Sequence, residues 1–202
     1  MHFGQSTTMR HVIPFRDEHG KVLDASWEAA EYADAKEHIP RSATVLEVGG
    51  RYGVASAGIQ EALDDGTRHV VVEPDPLVWQ ALEHNKAAHG HEYIIVKEAL
   101  GVEGYTVNQQ GAGTFLSGGV KGGASLAAVR KATNLEFDTL VIDCEGCVFQ
   151  LYRDEPTLFD GIQRVLIEKD GGRRYAEYDA LLVARGYTEV KPGFHSVWVK
   201  SK

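Results

Sequence analysis

Five short runs rich in β-branched and apolar residues recur along the chain, each followed by a segment with helical periodicity. This alternation limits the fold more than any other feature. The runs are Thr44–Val48, His69–Glu73, Tyr93–Lys97, Thr139–Asp143 and Arg164–Glu168, and the helical patterns fall at about Val54–Leu63, Leu77–His89, Ser125–Thr133, Val148–Phe159 and Tyr175–Arg185. Strand and helix in turn make a βαβ rhythm. His-Val-Val-Val-Glu and Thr-Leu-Val-Ile-Asp are apolar at successive positions, as a sheet covered on both faces requires, so the sheet is expected to be mainly parallel.

The ends of the chain break the rhythm. Ser26 is a candidate cap for a helix over Trp27–His38, which Pro40 stops before the first strand. Residues 1–25 have little periodicity and read as an arm. After Gly186, a C′ residue for the last helix, Tyr187–Val190 and Phe194–Lys200 are strand-like runs around Lys191-Pro192-Gly193. That is a hairpin, so one of its strands runs antiparallel to its neighbours. Between Gly101 and Gly123 stand eight glycines, at 101, 104, 111, 113, 118, 119, 122 and 123. The segment reads as a flexible loop, with short strands possible at Tyr105–Gln109 or Thr114–Leu116. No internal repeat or linker divides the chain. The expectation is one domain over residues 1–202, with its α/β core at 43–200.

Charge and composition exclude several functions. The net charge is −8, with 21 Lys+Arg against 29 Asp+Glu and no basic run, so the global field repels polyanions and no nucleic-acid partner is expected. No stretch approaches the roughly eighteen consecutive apolar residues of a membrane span, and no apolar signal region or lipidation pattern is present. The protein is expected to be soluble and cytoplasmic. Its two cysteines, Cys144 and Cys147, are too few and too close for a secreted disulfide framework, in keeping with a reducing compartment. As C-x-x-C they make half of a Cys₄ zinc site.

The chemistry is concentrated at strand ends. Val45 to Gly53 reads as a strand ending in a Gly-rich turn that opens into a helix. Glycines there let backbone approach a ligand, and the free N–H groups of a helix start favour an anion; a tight turn without a ligand has the same pattern. Glu73 stands at the tip of the next strand, where a carboxylate accepts hydrogen bonds from both hydroxyls of a ribose. The two motifs together point to an adenosine-containing cofactor. Three details favour S-adenosylmethionine over NAD. The glycine pattern is Gly-Gly-x-x-Gly rather than G-x-G-x-x-G. Glu47 near the end of the first strand suits a cationic amino group or sulfonium. The terminal hairpin supplies a reversed strand, which a purely parallel dinucleotide fold does not need.

The runs Glu47–Gly53, Val72–Asp75, Val96–Gly101, Leu140–Gly146 and Leu166–Asp170, in that order and spacing, resemble the FkbM-type S-adenosylmethionine-dependent methyltransferases. Ile142-Asp143-Cys144-Glu145-Gly146 is similar to that family's Asp-x-Glu-Gly signature. Gly50-Arg51-Tyr52 stands where many members have Ala-Asn-hydrophobic. The resemblance spans roughly Ala43 to Lys200. It implies a class I, Rossmann-like methyltransferase sheet of seven strands, mostly parallel with an antiparallel C-terminal hairpin strand, and methyl transfer to oxygen, often on a sugar or polyketide hydroxyl.

The expected cofactor contacts are Glu47, Gly49, Gly50, Arg51, Gly53, Glu73, Ala99 and Asp143. Methyl transfer to a hydroxyl needs an aligned acceptor and a base. The candidates at the carboxyl edge are Asp143, Glu168 and Asp170, with His195 reaching the rim from the hairpin. Each has a plainer reading. Asp143 and Glu145 would also cap the following helix or hold the cofactor's amino group, Glu168 and Asp170 would end a solvated loop, and His195 would be an ordinary strand histidine. Asp143, Glu168 and Asp170 also offer hard oxygen ligands to Mg²⁺ or Mn²⁺, although no resident metal is assigned. Trp27, Trp79 and Trp198 read as packing residues, with Trp27 also placed to line an acceptor pocket, and Arg173-Arg174 reads as a solvated helix start. The function expected is O-methylation of a small acceptor, a sugar or glycan first, with a nicotinamide-dependent oxidoreductase or a non-catalytic nucleoside- or partner-binding module as the alternatives.

Overall fold

A computed structural model describes residues 13–101, 104–110, 113–118, 121–169 and 175–201. The expected alternation is present as α1 (Ala29–His38), β1 (Val45–Val48), α2 (Val54–Ala62), β2 (His69–Val72), α3 (Trp79–His89) and β3 (Ile94–Val96), then β4 (Gly104–Gln110), β5 (Gly113–Gly118), β6 (Lys121–Gly122), α4 (Leu126–Thr133) and β7 (Thr139–Ile142). The chain ends with α5 (Val148–Asp154), β8 (Arg164–Glu168), α6 (Tyr175–Ala184), β9 (Tyr187–Lys191) and β10 (His195–Lys200).

The main sheet has seven strands in the order β3-β2-β1-β7-β8-β10-β9. Strands β1, β2, β3, β7 and β8 pair in parallel. Strand β10 is the reversed one, antiparallel to both β8 and β9. The strand order reverses at β1, which β2 flanks on one side and β7 on the other, and the crevice at such a point is where open α/β sheets bind ligands.

Alternation along each strand divides the core between two faces. Leu46, Val48, Val70, Val72, Leu140 and Ile142 face a core shared with Leu126 and Val129 of α4, Leu151 of α5 and Leu182 of α6. On the other face Val45, Val141, Leu166 and Val197 pack on Ala35 of α1, on Ile39 just past its end and on Ile59 and Ala62 of α2. At about 25 cal/mol per Å² of apolar surface, these two layers supply most of the driving force for the fold.

Two local expectations are corrected and one is extended. The Gly101–Gly123 segment carries strands over both Tyr105–Gln109 and Thr114–Leu116, and with β6 they make a second sheet, three antiparallel strands in the order β5-β4-β6. Tyr105, Thr106 and Val107 are strand formers, and Gly104, Gly113, Gly118 and Gly122 fall at strand ends, where they interrupt pairing least. The helical pattern expected over Val148–Phe159 stops at Asp154, because Pro156 cannot continue it. The Glu155 carboxylate then accepts the Leu126 N–H at 2.8 Å and helps to cap α4. Helix α1 begins at Ala29, after Glu28 in the left-handed region (φ 49°), and Ser26 donates its hydroxyl to Asp24 rather than capping the helix.

Candidate functional site

The carboxyl ends of the central strands are laced by backbone bonds that continue the ladder past the strands. Gly49 N–H donates to Val72 C=O at 2.9 Å, Glu73 N–H to Val96 C=O at 3.0 Å and Asp143 N–H to Val48 C=O at 3.0 Å. The glycine turn therefore sits against the tips of β2 and β7. Gly49 has φ +95°, and a Cβ there would lie 1.6 Å from the Asp143 carbonyl oxygen. At Gly50 a Cβ would fall 2.2 Å from Val71 Cγ1. These two glycines are fixed by contact with protein, so the turn's composition is explained by packing as well as by ligand approach.

The Glu73 carboxylate is 4% exposed and braces this turn. One oxygen accepts the Gly50 and Arg51 N–H groups at 3.1 and 2.8 Å, and the other accepts the Asp75 N–H at 2.8 Å. Burial holds its pKa above the usual carboxylate value, and the three backbone bonds offset only part of that rise.

A cavity of about 470 Å³ opens along this edge, within the roughly 300–1,000 Å³ usual for small-molecule sites. Gly49, Arg51, Glu73 and Ala99 wall one side of it, and Asp143, Cys144, Glu145, Gly146, Cys147 and Glu168 the other. Gly50 and Gly53 were expected to touch a cofactor, but neither lines this cavity, and a Cβ on Gly53 would meet Tyr93 Oη at 2.9 Å. Glu47 does not line it either. Its side chain is on the opposite face of β1, 1% exposed, with Oε2 2.8 Å from His69 Nε2 and accepting the Ser56 hydroxyl at 2.7 Å. Strand alternation decides this, since Glu47 shares the face of Val45 while Val48 faces the other core.

His195 lies at the start of β10, opposite Glu168 in the β8–β10 register. Its Nε2 is 2.8 Å from Glu31 Oε1 and 4.0 Å from Glu168 Oε1. Asp170 and the Arg173-Arg174 pair lie outside the described residues. Cys144 and Cys147 are joined in a disulfide, contrary to the reduced pair expected. The turn between β7 and α5 holds their Cα atoms 5.4 Å apart, within bridging range, so the cysteines no longer argue for a reducing compartment.

Sequence reasoning missed Glu28 and Glu31, which join the main cavity from the start of α1 beside Trp27. Their only signal is three-residue spacing on one helix face. Burial first, and then the neighbouring Asp143 carboxylate, push the Glu28 carboxyl up to about 8, although it accepts the Trp27 indole N–H at 2.8 Å. Glu28, Glu31, Glu73, Asp143, Glu145, Asp154 and Glu168 line the cavity against Arg51 and Arg153. Such a lining favours a cationic group within it. Among the described residues no helix is long and apolar enough to cross a membrane.

No protein-family profile matches the chain, and no curated protein matches it in sequence. Solved structures do match in fold. A ribosomal protein L11 methylase from Lactobacillus delbrueckii subsp. bulgaricus aligns with TM-score 0.56 and 13% identity over 93% of this chain and 86% of its own. A precorrin-6y C5,15-methyltransferase from Geobacter metallireducens aligns with TM-score 0.51 and 11% identity over 86% and 87%. An O-methyltransferase from Bacillus cereus in complex with S-adenosylhomocysteine aligns with TM-score 0.50 and 12% identity over 88% and 82%. The chain has the Rossmann-like fold of class I methyltransferases, a seven-stranded mixed sheet that is mostly parallel. These neighbours are named for different acceptors, so the fold leaves the acceptor open.

Proposed function

We propose that this chain is an S-adenosylmethionine-dependent methyltransferase that methylates a hydroxyl of a small acceptor, with a sugar or glycan first among candidates. One observation carries the reading. The glycine turn, the acid at the tip of β2 and the acids at the tips of β7 and β8 face a single cavity, in a sheet whose reversed strand is β10.

The residues present fit this cofactor. A carboxylate offers about four acceptor positions, and three backbone N–H groups already use Glu73. One position remains for a ribose hydroxyl, rather than the pair expected from sequence. The acid-rich wall suits a sulfonium and an ammonium group. When bound, the cofactor supplies a methyl group already activated for displacement, so the chain has to position an acceptor and remove its proton. Glu73 and the turn from Gly49 to Arg51 orient the nucleoside, Ala99 flanks it, and Asp143 closes the opposite wall. The base comes from Asp143, Glu168 or His195. Trp27 covers the side from which an acceptor enters and excludes water. The FkbM-type resemblance, carried by Asp143-Cys144-Glu145-Gly146, supports oxygen as the methylated atom.

Calorimetry with S-adenosylhomocysteine and NAD⁺ tests the cofactor. The expected result is one site for S-adenosylhomocysteine and no heat with NAD⁺, and the reverse pattern overturns the proposal. Radiolabelled methyl transfer across sugars, polyketides, peptides and RNA then tests the acceptor, and counts on a nitrogen or carbon acceptor alone overturn the oxygen assignment.

A further inference from the structure

Beside the main cavity, on the α1 face of the sheet, lies a second space of about 30 Å³ lined by Glu31, Glu47, Asp143, Glu168 and His195. That is room for a single ion or water. Glu31 reaches it from α1, Glu168 from the end of β8 and His195 from the start of β10. One potential ligand atom from each of these three lies within 4.8 Å of the others. Ligand atoms at bond lengths of about 2.0–2.2 Å stand roughly 3–4.4 Å apart, and His195 Nε2 lies 2.8 Å from Glu31 Oε1 and 4.0 Å from Glu168 Oε1, close to that range. The contact of 2.8 Å between His195 Nε2 and Glu31 Oε1 lacks hydrogen-bond geometry, and among the described residues that buried nitrogen has no hydrogen-bond partner.

An independent observation comes from Glu47. Its side chain is 1% exposed and it lines the same space, yet among the described residues Oε1 has no hydrogen-bond partner while Oε2 is taken by His69 and Ser56. A buried carboxylate oxygen left in this way is costly unless a positive or donating group faces it. Lys169, which follows β8, and Lys191, at the end of β9, are committed elsewhere. Lys169 Nζ lies 2.9 Å from Asp179 and 3.1 Å from Glu189, and Lys191 pairs with Asp34.

We propose that Glu31, Glu168 and His195 form a binding site for one divalent transition-metal cation, of the Mn²⁺ or Zn²⁺ class, with Glu47 facing it from the sheet. The mixed oxygen and nitrogen donor set selects against Ca²⁺, which takes oxygen ligands only. The site differs from the all-oxygen set of Asp143, Glu168 and Asp170 that sequence offers, since α1 and β10 supply two of its three ligands. The existence of the site does not depend on the methyltransferase reading, but its consequence does. With Glu168 and His195 engaged by a cation, Asp143 is the base of the proposed reaction among the described candidates.

The test uses the full chain stripped with EDTA, with no cofactor present, titrated with Mn²⁺ and followed by loss of the free-ion EPR signal. The expected result is one bound Mn²⁺ per chain, weakened at least about tenfold by each of Glu31→Gln, Glu168→Gln and His195→Gln, and unchanged by Asp160→Asn on the exposed surface. Circular dichroism and the urea midpoint confirm that each variant is folded. Absence of binding, or binding that survives Glu31→Gln and His195→Gln in folded protein, overturns the site. Mn²⁺ binding without any S-adenosylhomocysteine binding keeps the metal site and overturns the methyltransferase reading.

Discussion

The Glu73 carboxylate accepts a hydrogen bond from the Arg51 N–H at 2.8 Å, so the acid at the tip of β2 helps to build the glycine turn it faces. Arg51 has φ 36°, in the left-handed region that non-glycine residues rarely occupy, and the bond to Glu73 helps to hold it there. Glu73 therefore has a structural role even without a ligand. Glu73→Gln places an amide N–H₂ against backbone N–H donors whichever way the side chain turns. The expected outcome is a loss of about 1–3 kcal/mol in urea-unfolding stability, together with at least about tenfold weaker S-adenosylhomocysteine binding, equivalent to about 1.4 kcal/mol. Unchanged stability would show that the turn does not need this carboxylate.

Gly49 and Gly90 both have positive φ, at +95° and +69°, but only Gly49 is crowded. Alanine at 49 meets the Asp143 carbonyl, a backbone atom that cannot yield without moving the tip of β7. Gly49→Ala is expected to cost about 3 kcal/mol or more, and Gly90→Ala, with nothing within 4 Å among the described residues, only about 1 kcal/mol. Comparing the two thermal midpoints separates backbone strain from collision.

The sheet was legible because its signals are local. Runs such as Val70 to Val72 and Thr139 to Ile142 declare buried strands by composition, and the turn at Gly49 follows directly from β1. The direction of Glu47 was legible in principle, since it alternates with Val48, but the chemical appeal of an acid beside the glycines outweighed strand parity. The contribution of α1 was not legible. Glu28 and Glu31 reach the site through packing of α1 against α2 and β10, at sequence distances where no periodicity reports contact. The strands β4 and β5 were legible as runs of strand formers, but their pairing with β6 into a sheet was not, because the glycines around them look like loop residues although they fall at strand ends.

The disulfide between Cys144 and Cys147 closes a loop of only a few residues at the cavity wall. Loop entropy then gives at most about 2 kcal/mol, a small share of the roughly 5–15 kcal/mol typical of a folded domain. The bridge matters more for shape, because Glu145 within it is held at φ 52° and lines the cavity. Cys144→Ser with Cys147→Ser is expected to lower stability by no more than that amount and to weaken S-adenosylhomocysteine binding by relaxing the turn. Calorimetry with and without dithiothreitol on the parent checks this, and identical affinities would show that the bridge is incidental.

His91 is half-buried near Tyr93, and His89 stacks with it at 5.3 Å between ring centroids. Burial, and then the neighbouring His89, lower the His91 pKa from 6.5 to about 4. In the unfolded chain it titrates at about 6.5. Between those values the unfolded state binds the extra proton, so stability falls as pH drops from about 6.5 towards 4 and is unaffected by this group above that window. After discounting for partial exposure to solvent, the loss expected is about 1–2 kcal/mol. Urea midpoints at pH 5 and pH 7.5 measure it, and His91→Gln should flatten the difference. An unchanged slope in the variant would assign the acid sensitivity to other groups.

Glu47 and His69 form a buried pair, 1% and 0% exposed at their side chains, with 2.8 Å between Oε2 and Nε2. Gln60 Nε2 lies 3.2 Å from His69 Nδ1 and fixes the ring from the other side. Replacing one partner leaves the other without compensation in the sheet interior, so His69→Ala is expected to cost about 3–5 kcal/mol. Removing both is different, because an apolar pair of similar volume needs no solvation. Glu47→Leu with His69→Leu should recover most of that loss. If Glu47 also balances a cation beside Glu31, the stable double variant should bind Mn²⁺ more weakly than the parent while its urea midpoint approaches the parent value. A double variant as unstable as His69→Ala would show that packing, rather than the unpaired carboxylate, sets the cost.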